Sequence, residues 1–324
     1  MELLVLSHTH HLLPAAWRLH REGKSVSYVP WRRRAERCWA GALPSPLPAG
    51  HPRHKAREAM GPLLERVAAG EVGVVWEHAS WGNVVREAPV QWGTLPVDGT
   101  LGPLRVGAWW DGQAYQAPHL LIGSMGAWPG GGGPQVEAGM VLVRLGAPIV
   151  PMPVPPDGHR GLVQMGLNQA LEPTGVGLGW HGLHTHAFLA ALGEGGQLGK
   201  LLEGEAPVLP HRFACVVPVS VPPWPIDCNT LPQQHQVQGL SVEEMGRVMW
   251  HDVATDEGAA VLRVAGVDGL IGVTRGVGDS MLLARIRAIG LANKMLVPEK
   301  QMRPDVGQEV DGVLASLEEM GVRL

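Results

Sequence analysis

Two short runs of this 324-residue chain concentrate histidine: "SHTHHLLPAAW" at 7–17 and "WHGLHTHAF" at 180–188. In the first, His8, His10 and His11 precede a helix-like segment. A helix N-terminus offers free amides and a positive partial charge, so a phosphate is favoured there, and imidazolium donors strengthen it. Three histidines in four residues also suit a metal, although H-x-H-H lacks a second ligand motif, and surface decoration is the third reading. In the second run, a helix beginning at Thr185 would leave His181 and His184 on a loop. One of them could then be a general base for an amine, because imidazole titrates near neutrality. Incidental loop histidines, or a zinc site, are the other readings. No residue is assigned as a metal ligand.

Further candidates sit elsewhere. Glu77 and Asn83 share the stretch "VVWEHASWGN" (74–83). A carboxylate here would bind an ammonium or a sugar hydroxyl, or would cap the following helix. Gly123, Ser124, Met125 and Gly126 allow close backbone approach to a ligand. Asp252 follows Trp250 by two residues and is a further binding candidate, whereas Arg303 and Asp305 suit a structural ion pair that pins the terminal segment.

The elements that must position these residues follow from periodicity. "ELLVLS" (2–7), "SVSYVP" (25–30) and "VGVVWE" (72–77) read as strands, separated by helical segments at 11–23 and 54–70. That alternation implies a parallel sheet with its ligand site at the carboxyl ends of the strands, so the loops from Ser7, Pro30 and Glu77 share a rim. Beyond residue 90 short strands take over, with a hairpin at Asp111-Gly112 and a Gly-rich loop at 123–134. A proline-rich connector (148–158) leads to strands at 161–171 and 175–180, a helix at 185–192, strands at 213–221, 258–266 and 269–276, and a helix at 279–295.

Composition excludes several classes. No apolar run reaches membrane-spanning length and the N-terminus lacks a secretory pattern, so a cytoplasmic protein is expected, in a host cytoplasm if a phage encodes it. Cys38, Cys215 and Cys228 are too scattered for a disulfide framework and read as free thiols. The net charge of −4 conceals an asymmetry: residues 1–60 carry 10 Lys/Arg against 4 Asp/Glu. The clusters "WRRRAER" (31–37) and "HPRHKAR" (51–57) suit either a phosphate or nucleic-acid surface or a solvated helix face.

In order, these pieces resemble glycinamide ribonucleotide synthetase (phosphoribosylamine-glycine ligase), an ATP-grasp family. "GLIGVTRGVGDS" (269–280) and "MRPDVG" (302–307) are similar to the family's "VTALGDT" turn and terminal "RKDIG"; "GSMGAWP" (123–129) is similar to "GGMGAYSP", and "VGAWWDG" (106–112) to its "ALVDG" strand. The resemblance implies an α/β and α+β protein: a Rossmann-like pre-ATP-grasp domain at 1–90, a reduced ATP-grasp core at 91–210 and a ligase-like C-terminal domain at 211–324.

The departures weigh as much. About thirty residues separate "VVWEH" from "AWWDG" where the family inserts its nucleotide lid, and the family's "EFN", whose Glu and Asn hold magnesium, is replaced by "GLGW" at 177–180. Phosphoryl transfer without lid or metal ligands loses its charge neutralisation. The expectation is therefore an ATP-independent transferase that joins an amino acid, glycine by the resemblance, to a phosphate- or pyrophosphate-activated nucleotide or DNA acceptor, such as a hydroxymethyl pyrimidine in bacteriophage DNA. No cofactor is expected; ATP and magnesium belong to the alternative of an ATP-dependent glycine ligase, and a non-catalytic binding module is a third reading.

Overall fold

A computed structural model of the chain describes residues 2–7, 11–30, 62–77, 91–193, 197–226, 235–255, 261–266 and 268–324. His8, His10, Asn83, Cys38, Cys228 and the basic clusters at 31–37 and 51–57 lie outside the described residues.

The first unit consists of β1 (Glu2–Ser7), α1 (Leu13–Arg21), β2 (Val26–Pro30), a helix α2 at 62–68, β3 (Val72–Trp76) and β4 (Gln91–Gly93). β1 is buried from Leu3 to Ser7, as a strand covered on both faces requires. Pro14 fits the first turn of α1, where its missing N–H costs nothing, and Gly23 at φ 81° lets the chain leave the helix. The four strands pair in parallel in the order β2-β1-β3-β4. Successive crossovers thus leave β1 in opposite directions, and the switch point falls at the carboxyl ends of β1 and β3, beside Ser7 and Glu77.

The second unit is a ten-stranded antiparallel sheet. It is built from β5 (Asp98–Gly99), β6 (Leu104–Trp110), β7 (Tyr115–Met125), β8 (Glu137–Arg144), β9 (Gly161–Leu167), β10 (Pro173–Leu178), β11 (Phe213–Ser220), β13 (Val248–Trp250), β16 (Leu270–Gly278) and β17 (Gln301–Met302). Strands from 91–210 and from 211–324 share this sheet through the β8–β11 pairing. A small sheet of β12 (Gln236–Val237), β14 (Val253–Thr255) and β15 (Leu262–Val264) stands beside it. The β6–β7 hairpin turns at Asp111-Gly112 as expected, with Asp111 Oδ1 accepting the amides of Gln113 and Ala114. The expected loop at 123–134 begins later, because β7 continues to Met125 by pairing with β8.

Helix α3 (Gly182–Ala191) begins three residues before the expected Thr185. It is buried from Leu183 to Ala191 and therefore needs cover on every side. It packs across β8, β11 and β16, while Arg18 of α1 donates to the carbonyls of Leu189 and Gly193 from the opposite layer. After α4 (Gln197–Leu202) and α5 (Val242–Met245), helices α6 (Met281–Lys294) and α7 (Val310–Glu319) close the other face of the sheet with Met281, Ala284, Ala288, Val310 and Leu314.

The terminal "RPDVG" is structural. Arg303 holds Asp305 through Nε at 2.8 Å and Nη2 at 3.1 Å, and its Nη1 donates to the carbonyls of Met125 and Gly126. Asp305 also accepts the Gly130 amide at 2.8 Å, so the segment ties down the loop after β7.

Candidate functional site

Helix α3 carries His184 and His186, which project about 200° apart and so meet different layers. On the sheet side, Nε2 of His184 lies 2.9 Å from Nε2 of His119 on β7. Nδ1 of His119 donates to the Ala117 carbonyl at 2.8 Å, so its Nε2 must be the acceptor and His184 the donor. Nδ1 of His184 then carries a lone pair, and it is buried with no hydrogen-bond partner among the described residues. On the opposite side, Nδ1 of His186 donates to the Gly182 carbonyl at 3.0 Å and its Nε2 lies 2.8 Å from Nε2 of His251. By the same logic His251 donates.

His119, His184 and His186 are held neutral. Burial pulls His119 down to about 4 and His186 down to about 3, and it lowers His184 well below the ordinary imidazole value, with His119 adding to the effect. Gly107 on β6 makes the first dyad fit: a Cβ there would lie 2.4 Å from Nε2 of His119 and 3.1 Å from Nε2 of His184. Gly107→Ala should therefore part the two rings and lower the unfolding free energy by about 1–3 kcal/mol, read from urea denaturation.

The second dyad opens toward the switch point. His11, just before α1, sets its ring 6.0 Å from His186 and 5.7 Å from His251, edge-on to both. At the same rim the Ser7 hydroxyl donates to Glu77, whose charge acts on His186. Asp252 follows His251, but its carboxylate accepts the amides of Asp268 at 3.1 Å and Gly269 at 2.7 Å, which fixes the turn before β16.

At the first turn of α3, on the sheet side, a polar group collects that no local pattern announced. Arg105 of β6 pairs with Glu137 of β8, donates to Gln164 Oε1 at 3.2 Å and to the Gly102 carbonyl at 2.7 Å, and is almost wholly buried. Glu137 Oε2 accepts the Leu183 amide at 3.3 Å, the favourable end of a helix for a carboxylate. Nε2 of Gln164 is buried without a hydrogen-bond partner among the described residues. His181, the residue before α3, donates from Nε2 to the Leu178 carbonyl at 3.0 Å, which leaves the lone pair on Nδ1. Burial chiefly, and Arg105 in addition, lowers its pKa, so it stands neutral at pH 7.

Where β10 ends, the resemblance puts the family's metal-holding "EFN" on "GLGW" at 177–180. Trp180 is 2% exposed; its indole N–H donates to the Trp92 carbonyl at 2.9 Å, and its ring lies 6.0 Å from that of Trp109. The indole fills the seam between the parallel sheet and the large sheet. A hard divalent cation needs oxygen ligands, and an isobutyl and an indole provide none. Among the described residues no group of His, Cys, Asp and Glu is placed to hold a metal. The side chains at 177–180 therefore offer no oxygen ligand to a magnesium ion.

This arrangement of sheets has solved counterparts. Phosphoribosylamine-glycine ligase from Thermotoga maritima superposes with a TM-score of 0.58 at 14% identity, over 94% of this chain and 100% of that one. The fold is ATP-grasp-like. The biotin carboxylase domain of a single-chain bacterial carboxylase matches at a TM-score of 0.50 and 9% identity, over 98% and 99% of the two chains. The Kluyveromyces lactis urea carboxylase matches at 0.51 and 10% identity, over 99% of this chain and 32% of that one. No protein-family model matches the sequence, and no curated protein matches it either. No helix among the described residues is long and apolar enough to cross a membrane.

Against this frame the expected residues divide. His11 and Glu77 meet at one rim, where His186 and His251 join them. His181 lies at the sheet-side polar group, whereas His184 is inside the helix and committed to His119. Gly123 to Gly126 run along the end of β7, with Ser124 bonded to Glu309 at 2.6 Å and Gly126, at φ 88°, too close to the Gly131 carbonyl for any Cβ. Arg105, Glu137, Gln164 and His119 sit on ordinary alternating strands, so only the register between strands reveals them.

Proposed function

We propose that this ligase-type fold works as an ATP-independent transferase, joining an amino acid to an acceptor that arrives already carrying phosphate or pyrophosphate. The amine nitrogen forms a bond to the carbon bearing the phosphate, the C–O bond breaks, the phosphate or pyrophosphate leaves with its electron pair, and the amine proton passes to a base. The run "GLGW" at 177–180 carries this reading, because it supplies no oxygen side chain where the resemblance puts the magnesium ligands. The choice of glycine, and of a hydroxymethyl pyrimidine in phage DNA as acceptor, rests on the resemblance to phosphoribosylamine-glycine ligase and on the basic clusters near the N-terminus.

His181 suits the base, being neutral at pH 7 with a lone pair on Nδ1 and flanked by Arg105 and Glu137, a pair matched to the two ends of an amino-acid zwitterion. The His8–His11 run ahead of α1 suits the departing phosphate, and Glu77 at the switch point suits an ammonium or hydroxyl. His184 would act by positioning α3 against β7. Held reactants can contribute about 7–11 kcal/mol to such a bimolecular step, so nucleotide hydrolysis is dispensable once the acceptor is activated.

The test is to incubate the chain with glycine and pyrophosphorylated hydroxymethyl-pyrimidine DNA, without ATP, and to weigh the digested nucleosides by mass spectrometry. A glycine adduct is expected, with His181→Ala lowering kcat by about 10²–10⁴ while the melting temperature holds. An adduct that forms only with magnesium-ATP returns the chain to the ATP-dependent ligases whose fold it shares; no adduct under either condition removes the transferase reading.

A further inference from the structure

Gln164 of β9 stands between two glycines. Its cross-strand neighbours are Gly107 on β6 and Gly177 on β10, so no side chain flanks it on either adjoining strand. The residue is wholly buried. Its Oε1 accepts Arg105 Nη1 at 3.2 Å. A guanidinium only donates, so this bond fixes which way round the amide lies, and turning the amide over would set donors face to face. Nε2 is therefore held on the opposite branch, and its two N–H groups find no acceptor among the described residues.

A buried amide donor in this state is rare, because it forfeits hydrogen bonds that water supplies in the unfolded chain. The space beside this one is kept open by Gly177. A Cβ there would lie 3.1 Å from Nε2 of Gln164 and 3.2 Å from Cδ2 of His181, so the amide and the imidazole flank one point. Gly107 is explained by the histidine pair that crosses it, whereas the atoms nearest a Gly177 Cβ all belong to Gln164 and His181. The cluster reaches solvent on that side: His181 is partly exposed and the Glu137 side chain is 21% exposed, against 6% for Arg105.

We propose that Gln164 is a specificity-determining contact for the carboxylate of an amino acid. Its Nε2 donates to one carboxylate oxygen beside Arg105, while Glu137 receives the ammonium. The inference rests on the reading of this cluster as the amino-acid site. A neutral amide suits that task, since it offers two donors to an anion without adding charge to the Arg105–Glu137 pair. An ammonium is rejected at that end, because it brings only further donors. Nε2 is closed off as the chain stands, so the ligand reaches it as the His181 ring swings away from Gly177.

Equilibrium dialysis of the full chain against radiolabelled glycine, with ethylamine as competitor and with neither acceptor nor ATP present, tests the assignment. Saturable glycine binding is expected, with ethylamine, which lacks the carboxylate, at least about tenfold weaker. Gln164→Glu keeps an oxygen for Arg105 but sets a carboxylate oxygen in place of Nε2. It should weaken glycine at least about tenfold while the melting temperature holds. Gly177→Ala, at a backbone that is not left-handed, should weaken glycine by filling the open space, and it decides the matter if Gln164→Glu melts lower. No saturable binding of glycine, ethylamine competing as well as glycine, or unchanged affinity in the folded variants would overturn the proposal. Glycine bound through Gln164 with no adduct formed would remove the transferase and leave this contact. An adduct formed with an unchanged KM for glycine in Gln164→Glu would remove the contact and leave the transferase.

Discussion

Acidification from pH 7 to pH 5 should lower the melting temperature by about 6 °C, well before the carboxylates titrate. The sign follows from the buried imidazoles. His119 and His186 have pKa values of about 4 and about 3 in the folded chain, below the ordinary 6.5 that they regain on unfolding. The unfolded chain therefore takes up protons first as pH falls. Stability is complete above pH 6.5 and is lost progressively down to the folded values. At pH 5 each imidazole costs about 2 kcal/mol, and two of them remove about 4 kcal/mol from a total that is ordinarily about 5–15. Paired carboxylates such as Asp305 and Glu244 also have lowered pKa values, but their contribution disappears only below about pH 4.5, in a separate window. Thermal melts at pH 7, 6 and 5 decide the matter. A flat profile would mean that the dyads are hydrated or already charged, and the neutral hydrogen-bonding scheme around α3 would fall with it.

The parallel sheet was legible because its signals are local. Apolar runs for β1, β2 and β3, Gly23 after α1 and the alternation of strand with helix all lie within a few residues of what they specify. The rim shared by His11 and Glu77 followed from that topology alone. The start of α3 was misplaced because Gly182, at φ 45°, reads as a break, yet the helix begins there and brings His184 inside. The partners of the histidines were out of reach for a different reason. His119 and His184 are 65 residues apart, as are His186 and His251, and only the packing of α3 between two layers brings each pair together. Arg105 and Glu137 meet across β7, and no periodicity within either strand encodes that meeting. The run "GLGW" at 177–180, in place of the "EFN" of the resemblance, was visible in the sequence, whereas the burial of the Trp180 indole against Trp92 and Trp109 was not.

Glu137→Ala should be the most damaging single change at the site, costing about 3–5 kcal/mol of stability by chemical denaturation. The Arg105 side chain is 6% exposed and that of Glu137 21%, so removing the carboxylate strands a guanidinium that water cannot readily reach. The Leu183 amide at the start of α3 loses its acceptor in the same step. Replacing both partners with apolar residues, Arg105→Met with Glu137→Leu, should recover much of the loss, since the penalty is for an orphaned charge more than for a missing attraction. The two variants also separate scaffold from chemistry. If the pair only ties β6 to β8, the refolded double variant retains whatever activity the chain has; if it holds the two ends of an amino acid beside His181, the double variant folds and transfers nothing. A loss below about 1 kcal/mol for Glu137→Ala would place the pair among solvent-screened surface bridges and remove its claim on the substrate.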